Sequence, residues 1–210
     1  MNLTQKIQVG QTLFTAWSSL PDPLLAGVLA SATFDAVTLD MQHGGHSDES
    51  VLRCIGPVIQ NGAHPIVRVP VGRFDMASRA LDFGAEAVIA PMINTLEDAQ
   101  AFAGFMKFPP LGSRSWGPTR AMAFRGMGDA NSYFQIANGE TLAIAMIETM
   151  EALAIADDIL ALDGIDGVFV GPSDFSIAWS NSALVDPRHD GMTAILRDIA
   201  SRARKAGKFA

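Results

Sequence analysis

A single cysteine, Cys54, stands in this 210-residue sequence, which excludes an internal disulfide and any cysteine-rich metal site. It falls within Val51-Leu52-Arg53-Cys54-Ile55, an apolar pattern that favours a buried helix thiol over a nucleophile. Lysine is also scarce. Lys6, Lys107, Lys205 and Lys208 are the full set, and none ends an apolar strand candidate. A Schiff-base mechanism needs a desolvated lysine in the site, so that route has no candidate. Neither GxxxxGK[ST] nor GxGxxG occurs, which leaves nucleotide binding without a motif. Positive charge is in deficit, with 15 Lys and Arg against 22 Asp and Glu, a net −7 that argues against a nucleic-acid surface. The one basic cluster, Arg202, Arg204, Lys205 and Lys208, reads as the polar face and end of a terminal helix. No apolar run reaches the ~18 residues of a membrane helix. The N-terminus, with Thr4, Gln5, Lys6 and Gln8, lacks a signal region. These absences predict a soluble cytoplasmic protein with no membrane and no nucleic-acid partner.

What is present is core-forming material. Hydrophobic residues make up 49 % of the chain, enough to exclude global disorder and to fill one sizeable core. Short apolar runs alternate with longer helical patterns, which predicts an α/β fold. Strands are expected at 36–40, 65–69, 87–92, 142–148, 167–171 and, at the start, 12–17, with a seventh beginning at Lys208-Phe209-Ala210. Runs such as Ala87-Val88-Ile89-Ala90 and Val168-Phe169-Val170 show no polar alternation, as parallel strands covered on both faces do not. Ser47-Asp48-Glu49-Ser50, Asn94-Thr95-Leu96-Glu97-Asp98 and Thr149-Met150-Glu151-Ala152 offer helix starts, and 190–206 reads as a long helix ending at Gly207. Repeating βα units imply a parallel sheet or barrel. The stretch 108–131, rich in Pro, Gly, Arg and Trp, breaks the rhythm and reads as a functional loop.

Reactive residues collect just after the apolar strand runs: Asp40 and His43, Arg68, Glu148 and Asp174. In a parallel barrel these strand ends share one face, where the active site is built. Glu148 ends the run Ala143-Ile144-Ala145-Met146-Ile147, so its carboxylate needs either an arginine partner or a cation. Asp174 either caps the next helix or joins Glu148 in a hard-cation site suited to Mg²⁺ or Mn²⁺. His43 is either a loop histidine bonded to backbone or a general base. Arg68 either pairs with Asp40 or Asp82 or binds a substrate carboxylate. Asp82 ends a helix, at the unfavourable end of the dipole, which hints at a partner across a subunit contact. His46 is expected to face solvent, and His64 and His189 to occupy turns; none of the three is assigned chemistry.

Taken together, these motifs resemble the HpcH/HpaI aldolase family. The resemblance is carried by Phe34-Asp35-Ala36-Val37-Thr38-Leu39-Asp40-Met41-Gln42-His43, by Val67-Arg68-Val69 and by Leu81-Asp82-Phe83-Gly84-Ala85. It continues through Ile89-Ala90-Pro91-Met92, Pro109-Pro110-Leu111-Gly112-Ser113-Arg114, Met146-Ile147-Glu148-Thr149 and 164–174, and so runs through nearly the whole chain. The resemblance implies a (β/α)₈ TIM barrel of the phosphoenolpyruvate/pyruvate type. It also implies reversible cleavage of 4-hydroxy-2-oxo acids to pyruvate or hydroxypyruvate and an aldehyde, through a metal-stabilised enolate. It assigns Glu148 and Asp174 to a divalent metal (Mg²⁺, Mn²⁺ or Co²⁺), His43 to the catalytic base and Arg68 to substrate binding and the enolate. Asp82 matches an aspartate that supports the histidine across a subunit interface, and Gly171, Pro172 and Ser173 match the turn that holds the pyruvyl carboxylate. Asp40 belongs to the same substrate-binding rim. Aldehyde selection is expected from the 114–125 loop, with Trp116, Arg120 and Arg125, and from Trp17. Neither pyridoxal phosphate, a nucleotide nor a Schiff-base lysine is expected. The family's hexamer, a trimer of dimers with an exchanged C-terminal helix, is the expected assembly.

Two departures stand near the site: Gln42 where many members carry an acidic residue, and Met146 where many carry Gln. The rival readings are an acyl-CoA lyase of the citrate-lyase β or malyl-CoA type, for which a basic CoA surface is wanting, and a non-catalytic 2-oxo-acid-binding protein. A complete barrel takes about 250 residues. The chain, at 210 residues, is therefore expected to be a single domain lacking the final strand and C-terminal helices.

Overall fold

The computed structural model of the chain describes residues 1–181 and 184–210. Among them, six strands form one parallel sheet in sequential order: β1 (Thr15–Ser18), β2 (Ala36–Asp40), β3 (His64–Arg68), β4 (Ala87–Ala90), β5 (Leu142–Ile147) and β6 (Gly167–Val170). This is the α/β half-barrel that the βα rhythm predicts. Both ends of β2 fall where expected, and the remaining strand ends lie within three residues of expectation, the largest shift being at the start of β1. Of the expected seventh strand, one parallel bridge from Phe209 to Gly167 is present.

Side chains alternate across the sheet as the two-residue strand period requires. Val37, Leu39, Val67, Val88, Ala90, Ala143, Ala145, Ile147 and Val168 join the larger core, against the helices. Ala36, Ile66, Ala87, Ile89, Leu142, Ile144 and Met146 form a second cluster on the concave face, closed at one end by Leu3. β2 to β5 are buried on both faces, which explains why they read as largely apolar runs, while β1 and β6 at the sheet edges are partly exposed. The same parity carries Trp17, Asp40, Arg68 and Glu148 to the concave face at the C-terminal strand ends.

The helices begin and end on recognisable signals. α1 (Leu3–Gln8) is capped by Asn2, and Leu3 donates its amide to Glu86 at 3.1 Å. α2 (Pro23–Ala30) starts on Asp22, which accepts from the Leu24 and Leu25 amides. α3 (Asp48–Gln60) starts on a Ser47–Ser50 capping box and α4 (Phe74–Phe83) ends at Gly84. α5 (Leu96–Met106) starts on Thr95. The stretch read as a loop holds α6 (Thr119–Phe124) and the start of α7 (Ala130–Glu140), both too short or too weakly patterned to announce themselves. The helix expected to start at Thr149 is two, α8 (Met150–Ala154) and α9 (Ala156–Ala161), broken at Ile155. α10 (Pro172–Trp179) follows β6, and α11 (Asp190–Lys205) closes the series with its basic last turn. Cys54 is fully buried in α3, and burial pushes its thiol up to about 11, the inert state expected of it. Among the described residues no helix is long and apolar enough to cross a membrane.

Candidate active site

Parallel register places Asp40 directly beside Arg68. Arg68 donates Nε to Asp40 Oδ1 at 2.8 Å and Nη2 to Oδ2 at 2.7 Å. Trp17 adds its indole Nε1–H to Oδ2 at 3.2 Å and lays its ring under the Arg68 guanidinium, 4.8 Å away. Phe169 backs the indole at 5.8 Å. Burial alone would raise the Asp40 carboxyl, but the bonds from Arg68, Trp17 and the Gln42 amide outweigh it and hold it at about 2. The ion pair considered for Arg68 is therefore present. Of the five guanidinium N–H groups, two are spent on Asp40, and Nη1 has no partner among the described residues, which lets it meet a ligand.

Glu148 follows β5 on the same face and is only 1 % exposed. Among the described residues it has no ion-pair partner; its Oε2 accepts the Met92 amide at 2.8 Å. Burial raises its carboxyl above the ordinary range. The Met92 amide opposes that shift and Asp174 adds to it, while Arg68 and His43 are near enough to pull it down. A Cβ on Gly171 would lie 2.3 Å from Glu148 Oε1, so a bare backbone is needed where the carboxylate packs. Asp174 is exposed in the first turn of α10, whose cap position is Gly171 with no side-chain cap bond, so capping does not occupy it. A buried, uncompensated carboxylate facing a second carboxylate is costly as it stands. It fits a hard divalent cation, which takes oxygen ligands and completes its shell with water or substrate.

His43 is exposed on the turn after β2, its amide directed at Asp40 Oδ1 at 3.3 Å. Two other histidines depart from expectation. His46 is buried, bonded through Nε2 to Ser18 Oγ at 3.1 Å and through Nδ1 to Ser50 Oγ at 3.0 Å. His64 lies in β3, its Nδ1 3.0 Å from Glu86 Oε1, and is no turn residue. In each case a polar partner distant in sequence, Ser18 for His46 and Glu86 for His64, helps satisfy a buried ring.

Asp82 and Arg120 stay outside this group. Because β3 and β4 are parallel, α4 runs back along the sheet and carries Asp82 to the end opposite the rim. There Oδ1 accepts from the buried Arg114 Nη2 at 2.7 Å. Arg120 lies over Phe124, 5.1 Å from the ring centroid, against Gly56 of α3. Trp116 packs on Phe108 at 5.4 Å, in an aromatic group with Tyr133 and Phe134. Arg125 pairs with Glu140. Sequence reading missed Met92, whose φ of 53° turns its amide onto Glu148. It also missed the Thr149–Asn94 hydrogen bond of 2.7 Å that ties the loops after β5 and β4. Nothing in the local pattern marks a left-handed methionine; the polar Asn94 after an apolar run was the only available signal.

Comparison with known proteins gives a concordant picture. A family model described as HpcH/HpaI aldolase/citrate lyase matches residues 13–210. The hydroxypyruvate/pyruvate aldolase of Rhizorhabdus wittichii is 38 % identical over 199 residues, covering 95 % of this chain and 78 % of that protein. The 2-keto-3-deoxy-L-rhamnonate aldolase of Klebsiella pneumoniae is 30 % identical over 201 residues, covering 96 % and 74 %. A crystal structure of a HpcH/HpaI aldolase/citrate lyase family protein from Burkholderia cenocepacia superimposes with a TM-score of 0.85 at 30 % identity, covering 98 % of this chain and 81 % of that one.

Proposed function

The chain belongs to the HpcH/HpaI aldolase/citrate lyase family, and from that premise we propose that the rim of Trp17, Asp40, His43, Arg68, Glu148 and Asp174 carries its chemistry. The protein is a class II aldolase. The reaction is reversible cleavage of a 4-hydroxy-2-oxo acid to an aldehyde and pyruvate or hydroxypyruvate, the 2-oxo acids named for the relatives. The observation that carries this reading is the buried Glu148 carboxylate, without a cationic partner among the described residues and framed by Asp174, Arg68 and His43.

Glu148 and Asp174 hold a divalent cation, which when bound supplies Lewis-acid polarisation of the 2-oxo acid. The chain's own groups do the rest. Ser173 and Asp174 present backbone amides at the N-terminus of α10, where the substrate carboxylate is favoured in the Gly171-Pro172-Ser173 turn. Arg68, pinned by Asp40 and stacked on Trp17, directs Nη1 at the 2-oxo oxygen as negative charge develops there. His43 takes the proton of the C4 hydroxyl as the C3–C4 bond breaks and the aldehyde leaves. The bonding pair passes into the enolate, and His43 returns the proton to C3, giving the methyl or hydroxymethyl group of the product. Trp17 and Phe169 wall the space where the aldehyde departs.

The six sequential parallel strands form an arc of a (β/α)₈ barrel of the phosphoenolpyruvate/pyruvate type, and we treat residues 1–210 as one unit of it. Asp82 is remote from His43 within the chain, so its part in catalysis requires a second copy; a hexamer built as a trimer of dimers supplies one. The test is a screen of pyruvate and hydroxypyruvate against a panel of aldehydes with Mg²⁺ or Mn²⁺. Condensation with at least one aldehyde is expected. Binding of the 2-oxo acid with neither condensation nor exchange of its C3 protons would leave a binding protein instead.

A further inference from the structure

The turn that bears His43 is fastened at two points. At its start, Asp40 Oδ1 accepts the Gln42 amide at 3.0 Å and the His43 amide at 3.3 Å, which ties the turn to the Asp40–Arg68 pair. At its end stands His46, 6 % exposed. Its ring bridges Ser18, the last residue of β1, and Ser50, in the first turn of α3. Ser50 Oγ already donates to the Ser47 carbonyl at 3.1 Å and accepts the Ser47 amide at 2.9 Å. Ser18 Oγ also reaches the Leu20 carbonyl at 3.3 Å, so on each side the ring meets a hydroxyl that is itself held to backbone. Between the two fastenings the turn is pressed against β1. Gly45 donates its amide to the Ser19 carbonyl at 2.8 Å. A Cβ on Gly44 would lie 2.4 Å from the Asp40 carbonyl oxygen and 3.0 Å from Ser19 Cα, so the chain passes where no side chain fits.

We infer that His46 is a positioning residue: its Ser18–His46–Ser50 bridge locks the His43 turn to β1 and α3 and so fixes the distance from the His43 imidazole to the concave-face rim. The inference rests on the role proposed for His43. Without the bridge, the Gly45 amide bond to the Ser19 carbonyl is what remains to hold the two-glycine segment after His43. Glycine is the residue least able to hold a backbone in one conformation unaided. A displacement on the order of 1 Å at a reacting group costs about a hundredfold in rate, whereas substrate affinity, set by residues on other strands, does not depend on this turn.

The test compares His46→Ala, Ser18→Ala and the double variant with the unaltered chain under saturating Mg²⁺. One readout is the rate of pyruvate methyl-proton exchange in D₂O, and the other is the His43 Hε1 resonance, assigned by its loss in His43→Ala. The expected result is a fall in kcat for exchange of tenfold or more in His46→Ala, with KM for pyruvate and Mg²⁺ affinity within about twofold. Ser18→Ala should show a smaller fall, and the double variant should be no slower than His46→Ala, because both changes break the same bridge. The His43 resonance should broaden and move towards the free-imidazole position in both single variants. Ser18→Ala guards against a folding defect, since it removes one hydroxyl and no ring. Unchanged exchange in His46→Ala, or an unchanged His43 resonance, would overturn the inference. If the unaltered chain exchanges no protons, the aldolase reading fails, and the His43 resonance still decides whether His46 orders the turn.

Discussion

Arg68 grips Asp40 through two parallel hydrogen bonds of 2.8 and 2.7 Å, and both side chains are buried. The pair fixes the plane of the guanidinium before any substrate arrives. Lysine has a single ammonium and cannot span two oxygens, so Arg68→Lys keeps the charge and loses the orientation. Arg68→Lys should lower kcat/KM by about tenfold to a hundredfold, an effect of about 1.5–3 kcal/mol for a charged hydrogen bond. Arg68→Met, which leaves Asp40 buried and unpaired, should destabilise the fold by about 3–5 kcal/mol in urea denaturation. Equal stability of Arg68→Met and the unaltered chain would show the pair to be structurally idle.

The same pair sets an acid limit. The Asp40 carboxyl titrates at about 2 in the fold against an ordinary 3.8. A lowered folded value means the stabilisation is complete above about pH 4 and disappears as pH falls towards 2. Its size is about 2 kcal/mol, at roughly 1.4 kcal/mol per pKa unit. Unfolding curves between pH 5 and 2 should therefore converge for the unaltered chain and Asp40→Asn, the difference present at pH 5 having shrunk by about that amount at pH 2.

Cation binding and proton transfer should separate by mutation. Glu148→Ala is expected to abolish Mn²⁺ binding measured by calorimetry. His43→Ala should bind Mn²⁺ within about threefold of the unaltered chain while losing methyl-proton exchange by about a hundredfold or more, the scale of general acid–base catalysis.

Gly171 is a steric test of the same site. A methyl group there meets Glu148 Oε1 at 2.3 Å, so Gly171→Ala forces the carboxylate to turn away. Mn²⁺ affinity should fall by about tenfold or more, the range seen when the surroundings of a metal ligand are disturbed. An unchanged binding isotherm would mean that Glu148 is not a ligand.

Chelation and trapping distinguish the two ways of stabilising an enolate. Removing divalent ions should abolish aldol activity, and Mg²⁺, Mn²⁺ or Co²⁺ should restore it. Borohydride with pyruvate should leave the mass of the chain unchanged. Lys107 is the one fully buried lysine, but its ammonium donates to the Asn138 and Thr141 carbonyls and to Asp166, at the N-terminal ends of the strands. It lies at the end of the sheet away from the rim.

The parallel strands and the rim were legible because strand parity and the position after an apolar run depend only on local order. That logic placed Asp40, Arg68 and Glu148 on one face without any contact information. It failed where a partner far along the chain decides the outcome. His46 resembled a surface histidine until Ser18, 28 residues earlier, closed on it from β1. Met92 carried no sign of the left-handed backbone that serves Glu148, 56 residues away. α2 was unreadable as a helix because Leu24 and Val28 are apolar on its exposed side, which erases the amphipathic signal.

The alternation of the strands has an evolutionary consequence. Cohesion against the helices resides in one set of residues, Val37, Leu39, Val67, Ala145 and their neighbours, and the interleaved set both packs the concave face and carries the chemistry at its rim. Met146 is buried in that second cluster two residues before Glu148, so a substitution there alters the packing beneath the rim and leaves the layer against the helices untouched. A lineage built on this sheet can drift between aldehydes while its architecture stays under separate selection.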